Sequence, residues 1–575
     1  MNGRRNVLVI ICALVMAVFL VTAIVDVASA VSAPPERSKT GMVVSAQKLA
    51  DEVGMKVLNN GGNAVDAAVA VGYALSVLHP AGAGLIGGGG FAVIYIADKK
   101  EIVTLDFREM VSENATPGKY LDSNGKVTED KTLGYKAAAT PGAVAGFDAM
   151  LKRYGTKKLS DLIKPAVSYA ENGFIIGHAY EVLFEDAAPR LRKFQSSRKY
   201  FLKPDGSIYK EGDRFVRKDL ARTLRILGEK GPDAFYKGEI ADLIVKDMVA
   251  NGGFITKNDL ANYKPEWREP VHGTYRGYDI YSMPPTSSGG IAIVQMLNIM
   301  EPFDIKGMGS NSSATINVLA EAMRYAFADR SAYLGDPAFV KVPLKGLTSK
   351  KYADELRGKI HQGKATPSID VRPGDPQRYE GNHTTDYTIV DKWGNAIVVN
   401  FTIRDWFGSA AAVNGAGFLL NNTTDDLSAK SGVPNEFGLV YGDANLRAPR
   451  KRPLSSITPT IVIKDGKVFM ALGSVGGPRI ITTVLQVISN VVDHDMNVRE
   501  AVEAPRVHMQ WIPDQLLYEP GIPLDVLNNL KAMGYTLKMR GPIPPEFFGE
   551  TQTILIDQKT GLIMGAQDPR GDYTK

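Results

Sequence analysis

The chain has 575 residues, 44% of them hydrophobic, enough for a large buried core. Its formal net charge of +5 is small for this length, and Lys and Arg are interleaved with Asp and Glu, which excludes a basic nucleic-acid-binding stripe. No repeat, low-complexity tract or Pro/Ser linker divides the chain, so one large intertwined unit is expected.

The N-terminus opens with the positively charged MNGRR, and residues 7–25 are almost wholly apolar. VDVASAVSA then offers small residues suited to cleavage near Ala30. Residues 1–33 therefore read as a signal peptide, or as an uncleaved membrane anchor through residues 7–25, and place the protein as secreted or periplasmic. The single cysteine, Cys12, lies inside that run. The mature protein then has no thiol, which excludes cysteine catalysis and a Cys-based metal site.

GGNAVDAAVAVGYALSVLHP predicts a helix that is apolar nearly all round, hence buried, and that stops at Pro80. The run AGAGLIGGGG follows. It contains Gly82-x-Gly84-x-x-Gly87, but after a helix and before a strand, the reverse of a dinucleotide-binding motif. Tight backbone packing explains it better. FAVIYIADKKEIVTLDFRE predicts a hairpin turning at Asp98-Lys99-Lys100, with Arg108 at its far end. Residues 140–360 read as mainly helical, and ATPSIDVRPGDPQRYEGNH as a mobile surface segment.

The pattern changes at Thr384. TTDYTIVD and NAIVVNFTI are β-rich and are joined by Lys392-Trp393-Gly394, a favoured hairpin connection with Gly last. With Asp391 and Asn395 flanking the loop, Thr384 falls opposite Thr402, and two hydroxyls sit side by side. PTIVIKDGKVFMALG predicts another hairpin, and ITTVLQVISNVVDH and PLDVLNNLKAMG predict helices. Blocks of strands and helices suggest sheets sandwiched by helices. The seven histidines form no HExxH pair and no GxSxG elbow occurs, so neither a catalytic metal nor a cofactor is expected.

TTDYTIVDKWGNAIVVNFTIRDWFG, LNNTTDD, KRPLSSITPT, GSVGGPRIITTVLQ, DFRE and GGNAVDAAVA occur in the order in which they characterise one family. From about Gly41 to the C-terminus the chain resembles the γ-glutamyltranspeptidases, N-terminal-nucleophile hydrolases. The resemblance implies an α+β fold, a four-layer αββα sandwich formed jointly by two autoprocessed subunits. Cleavage between His383 and Thr384 would give a large subunit, residues 34–383, and a small catalytic subunit, residues 384–575.

The chemistry this implies is physically coherent. A Thr hydroxyl needs a base, and once Thr384 is N-terminal its own α-amine, with a reference pKa of about 7.7–8.0, can serve. The resemblance assigns the oxyanion hole to the backbone N–H groups of Gly476 and Gly477, where losing one donor typically costs about 2.7–4 kcal/mol. It makes Thr402 a catalytic partner of Thr384. Arg108, Ser455 and Ser456 would bind the α-carboxylate of a γ-glutamyl group, for which the planar guanidinium suits. Asp426 would bind its amine.

The sequence departs from the family pattern near that amine. Arg404 stands where Asn is usual and Thr423 where Glu or Gln is usual, and Asp386 replaces a common His. In the lid region SGVPNEFGLVYG, Phe437 replaces a Tyr that meets the Asn. A cation at Arg404 either repels an ammonium group or neutralises Asp426.

The activity implied is cleavage of glutathione-like γ-glutamyl amides through an acyl-Thr384, with transfer to water or to an amino acid or peptide. One rival is an acyl group without a free amine, as in glutaryl amides (a cephalosporin-acylase-like activity) or poly-γ-glutamate. Another is a non-catalytic extracellular binding protein on the same fold. The implied partners are a small-molecule substrate and the two subunits themselves.

Overall fold

The computed structural model describes residues 33–379, 391–541 and 548–571. The signal or anchor segment and Thr384 lie outside these residues. Four layers are stacked, helix, sheet, sheet and helix, as expected.

The larger sheet is antiparallel throughout. Its order is Glu36–Ser38, Ile563–Gln567, Thr551–Ile556, Lys467–Ser474, Thr460–Lys464, Tyr278–Ser282 and Val271–Tyr275. The smaller sheet runs Glu266–Arg268, Glu101–Phe107, Gly89–Ile96 and Ala396–Thr402 among the described residues. The period-two alternation of strand side chains assigns each to a layer. Ile461 and Ile463 face the core shared with the smaller sheet, while Val462 faces the second core. That second core is closed by helices that include Gly289–Met300, Ser313–Tyr333 and Arg479–Val492.

The helix Ala64–Leu78 is the central element of the first helical layer. Asn63 and Asp66 form a reciprocal capping box at its start. The Ala64 N–H also donates to Asp391 Oδ2 (3.1 Å), a carboxylate at the positive end of the helix. At the other end Arg217 donates to the carbonyls of Ser76 (3.1 Å) and Val77 (2.7 Å) before the chain breaks at Pro80. Every residue of this helix but Val71 is buried.

The predicted hairpins form where turn chemistry places them. Ile96 pairs with Glu101, and Lys464 with Lys467. The Asp391 N–H donates to the Asn395 carbonyl (2.6 Å), with Gly394 at φ +83°, so the flanks of the loop after Thr384 are those expected from sequence. The facing of Thr384 and Thr402 lies outside the described residues.

The glycine run lets two elements touch. A Cβ on Gly87 would lie 1.8 Å from the Leu419 carbonyl oxygen, on Gly88 2.0 Å from that of Thr402, and on Gly90 2.1 Å from that of Asn400. Gly88 and Gly90 thus pack directly on the strand that ends in Thr402. Within the GxGxxG pattern, a Cβ on Gly84 would lie 1.8 Å from Ile403 Cγ2 and on Gly87 1.8 Å from the Leu419 carbonyl oxygen, which bears out the packing reading.

Residues 140–360 are mainly helical, as expected, and also contain the strands Glu266–Arg268, Val271–Tyr275 and Tyr278–Ser282. One expectation needs correction. The polar stretch from Ala365 to Pro376 is pinned rather than a free surface coil. The Ala365 N–H donates to the Met533 carbonyl (2.8 Å), Ser368 bonds to Asp514 (2.8 Å) and to the Trp511 carbonyl (2.6 Å), and Val371 is buried.

Gly88→Ala tests the contact. The new methyl meets a carbonyl that has no freedom to move, and overpacking of this kind costs about 1–3 kcal/mol or more. The variant is expected to melt several degrees lower than wild type and to process more slowly on a denaturing gel. An unchanged melting temperature would show that the run does not set the approach.

Candidate active site

Arg108 follows directly on the strand Glu101–Phe107 and is 1% exposed. Its backbone is fixed first. Its N–H donates to Asp106 Oδ1 (2.9 Å), and its carbonyl accepts from Tyr263 Oη (2.9 Å) and Arg452 Nη1 (2.6 Å). Burial raises the Asp106 carboxyl, but Arg452, Arg268 and two hydrogen bonds outweigh it and hold it below its ordinary value. The guanidinium then donates to Glu109 (3.1 Å), to Asp426 Oδ2 (2.6 Å) and to the Pro453 carbonyl (3.1 Å). It is no surface arginine. Its side chain pairs with Glu109 and Asp426, whereas Asp106 holds its main chain.

Asp426 lies at the end of the short turn Thr423–Asp426. Its second oxygen, Oδ1, accepts from Arg404 Nε (2.8 Å). Arg404 also donates to Asp405 (2.8 Å), Asp425 and Glu436 (3.4 Å), and its guanidinium lies 4.7 Å from the Phe437 ring centre. Burial opposes the charge on Arg404, but Asp405, Asp425 and Asp426 overcome it and hold the group protonated. Burial raises the Asp405 carboxyl, with Arg404 opposing and Glu436 adding to the rise. The cation therefore pairs with Asp426, one of the two alternatives for Arg404, and Phe437 meets it by a cation–π contact instead of a hydroxyl.

Thr402 ends the strand Ala396–Thr402, paired with Gly89. Its Oγ1 accepts from the Arg404 N–H (2.8 Å), which leaves its proton to donate elsewhere. Ser455 Oγ accepts from the Ile457 N–H (3.1 Å), and Ser456 Oγ from Arg330 Nη2 (3.1 Å). Gly476 and Gly477, at φ +128° and +63°, lead into the helix Arg479–Val492. Neither amide donates to a partner among the described residues.

Arg108, Thr402, Arg404, Asp426, Ser455, Ser456, Gly476 and Gly477 all line one cleft. Thr423 is the exception. It is fully buried, its hydroxyl donates to Asn421 Oδ1 (2.8 Å), and it does not reach the cleft. Thr384 and Asp386 lie outside the described residues. Sequence reading missed Asp405, Asp425 and Arg330. The acid-rich TTDD and the RD pair at Arg404-Asp405 were the available signal for the first two. Among the described residues His178, Glu181 and Glu211 could together hold a cation, but none of them lines the cleft.

The γ-glutamyltranspeptidase family model matches residues 50–575. The chain belongs to the γ-glutamyltranspeptidase family. The glutathione hydrolase proenzyme of Escherichia coli K12 is 49% identical over 538 residues, covering 93% of this chain and 91% of that protein. The γ-glutamyltranspeptidase structure from Helicobacter pylori is 50% identical, with a TM-score of 0.59, and covers 61% of this chain and 100% of that one. A cephalosporin acylase structure from Bacillus halodurans is 29% identical, with a TM-score of 0.84, and covers 94% of this chain and 96% of that one. The four-layer architecture of this chain is thus shared with an acylase structure, so fold alone does not select the acyl group.

Glu109 gives a pH test. Burial pushes its carboxyl up to about 7 from 4.5, against the pull of Arg108. Between those values the unfolded chain has released a proton that the folded chain still holds. This residue's contribution therefore falls as pH rises through that window. The melting temperature of Glu109→Gln relative to wild type should rise from about pH 5 to about pH 8. A constant difference would contradict the assignment.

Proposed function

We propose that this family member cleaves itself before Thr384 and then hydrolyses or transfers γ-glutamyl groups from glutathione-like amides. The observation that carries the reading is the convergence on one cleft of Arg108, the two serines, Thr402 and the Gly476-Gly477 amides. The Thr384 hydroxyl attacks the γ-carbonyl while the α-amine takes its proton. The Gly476 and Gly477 N–H groups receive the developing oxyanion. Thr402, whose lone pair is engaged by the Arg404 N–H, donates its proton toward Thr384. The leaving amine takes the proton back, and water or a second amine opens the ester. Arg108, Ser455 and Ser456 hold the α-carboxylate and Asp426 the amine, while Arg404 tunes Asp426. Residues 1–33 direct the enzyme out of the cytoplasm, and intact mass of the purified protein would locate that cut.

A denaturing gel tests the processing step. Wild type is expected as two bands and Thr384→Ala as one. A single-band wild type that still turns over γ-glutamyl anilide would sink the proposal, and one with no turnover would favour the binding-protein reading.

One observation favours a second reading. Both oxygens of Asp426 already accept from guanidinium groups, which fits an acyl group without a free amine, such as glutaryl. The first reading predicts faster turnover of γ-glutamyl than of glutaryl anilide, and the reverse order establishes the second. Arg404→Asn frees one Asp426 oxygen and should shift preference toward the γ-glutamyl donor by about tenfold, the value of one charge-assisted hydrogen bond.

A further inference from the structure

Behind the serine pair lies the guanidinium of Arg330, on the helix Ser313–Tyr333 and only 2% exposed. Its Nη2 donates to Ser456 Oγ (3.1 Å) and its Nε to Ser288 Oγ (2.9 Å), and the Tyr441 ring lies 5.1 Å away. It makes no ion pair among the described residues. That is unusual for a buried cation. Arg108, by contrast, has Glu109 and Asp426 against it.

The proton directions follow from hydroxyl chemistry. A hydroxyl carries one proton and two lone pairs. Arg330 takes a lone pair of Ser456, which leaves that proton for an acceptor in the cleft. Ser288 accepts from Arg330 and passes its own proton to the Ser455 carbonyl (2.7 Å), and the Ser288 N–H donates to the same oxygen (2.8 Å). Ser455 Oγ is occupied by the Ile457 N–H, so its proton too is available. Both serine hydroxyls are left to donate, and that of Ser456 is held so by the cation itself.

We propose that Arg330 is a positioning residue that commits Ser456 to donating a hydrogen bond and supplies the uncompensated positive charge behind the acyl donor's α-carboxylate. It acts through Ser456 and not by touching the substrate. The inference rests on the carboxylate-subsite reading above.

The test compares γ-glutamyl anilide with 4-aminobutyryl anilide, which lacks the α-carboxylate and is used as substrate or as competitive inhibitor. Arg330→Met should raise KM for the first about tenfold to a hundredfold, the value of a hydrogen bond to a charged group, with kcat little changed. The affinity for the second should not move. In a Ser456→Ala background the effect of Arg330→Met should shrink to about threefold or less, because the two act as one unit. Equal losses on both ligands, or additive effects, would overturn the proposal. Should Arg330→Met fail to fold, Arg330→Lys carries the same test: KM rises for the carboxylate donor alone, and an equal rise on both ligands refutes it. If Ser456→Ala leaves KM for the γ-glutamyl donor unchanged, the subsite reading itself fails. If Ser456→Ala raises KM and Arg330→Met does not, only the role of Arg330 fails.

Discussion

A carboxylate gripped by two buried guanidinium groups organises this protein's cleft. Arg108 Nη2 and Arg404 Nε take one oxygen each of Asp426. Arg108 arrives on the end of Glu101–Phe107, Arg404 two residues past the end of Ala396–Thr402, and Asp426 on the short turn Thr423–Asp426. Three distant pieces of chain meet at one ion cluster. Removing either cation would leave buried carboxylate charge uncompensated, a loss of about 3–5 kcal/mol in comparable cases. The glycine run makes the meeting sterically feasible, since Gly88 and Gly90 lie against the carbonyls of Thr402 and Asn400, and Gly87 against that of Leu419.

The cleft holds buried cations in two different settings. Arg108 is ion-paired with Glu109 and Asp426. Arg330 lies behind Ser456 without a carboxylate partner among the described residues, and its guanidinium donates to the serine hydroxyl. Arg404 faces Asp405, Asp425, Asp426 and Glu436 together and also meets the ring of Phe437, which lines the cleft. On the proposed function, specificity at the amine end is a matter of how readily Arg404 yields Asp426, a balance of charges rather than of shape.

Local signals in the sequence were legible where local chemistry decides the structure. Asn63 and Asp66 start a helix by mutual capping, Gly394 closes a hairpin at positive φ, and the density of glycines after Pro80 marks close backbone approach. The motifs that carry Arg108, Asp426, Ser455 and Gly476 converge as the family resemblance implied. Features set by distant partners were not legible. Val271–Tyr275 and Tyr278–Ser282 are strands because they extend a sheet begun at Thr460–Lys464. The segment containing Ser368 is fixed by Asp514 and Trp511, far along the chain. Thr423 sits in the right motif but turns inward to Asn421, and Arg330 is one arginine among many until Ser456 is found beside it.

The central claim is that Thr384, once N-terminal, carries the acyl group. Rapid acid quench during turnover of a γ-glutamyl anilide, followed by mass analysis of the C-terminal fragment, tests it directly. The fragment beginning at Thr384 should gain one γ-glutamyl group, mapped to that residue. A fragment that never gains the group, or gains it on another residue such as Thr402, would contradict the account.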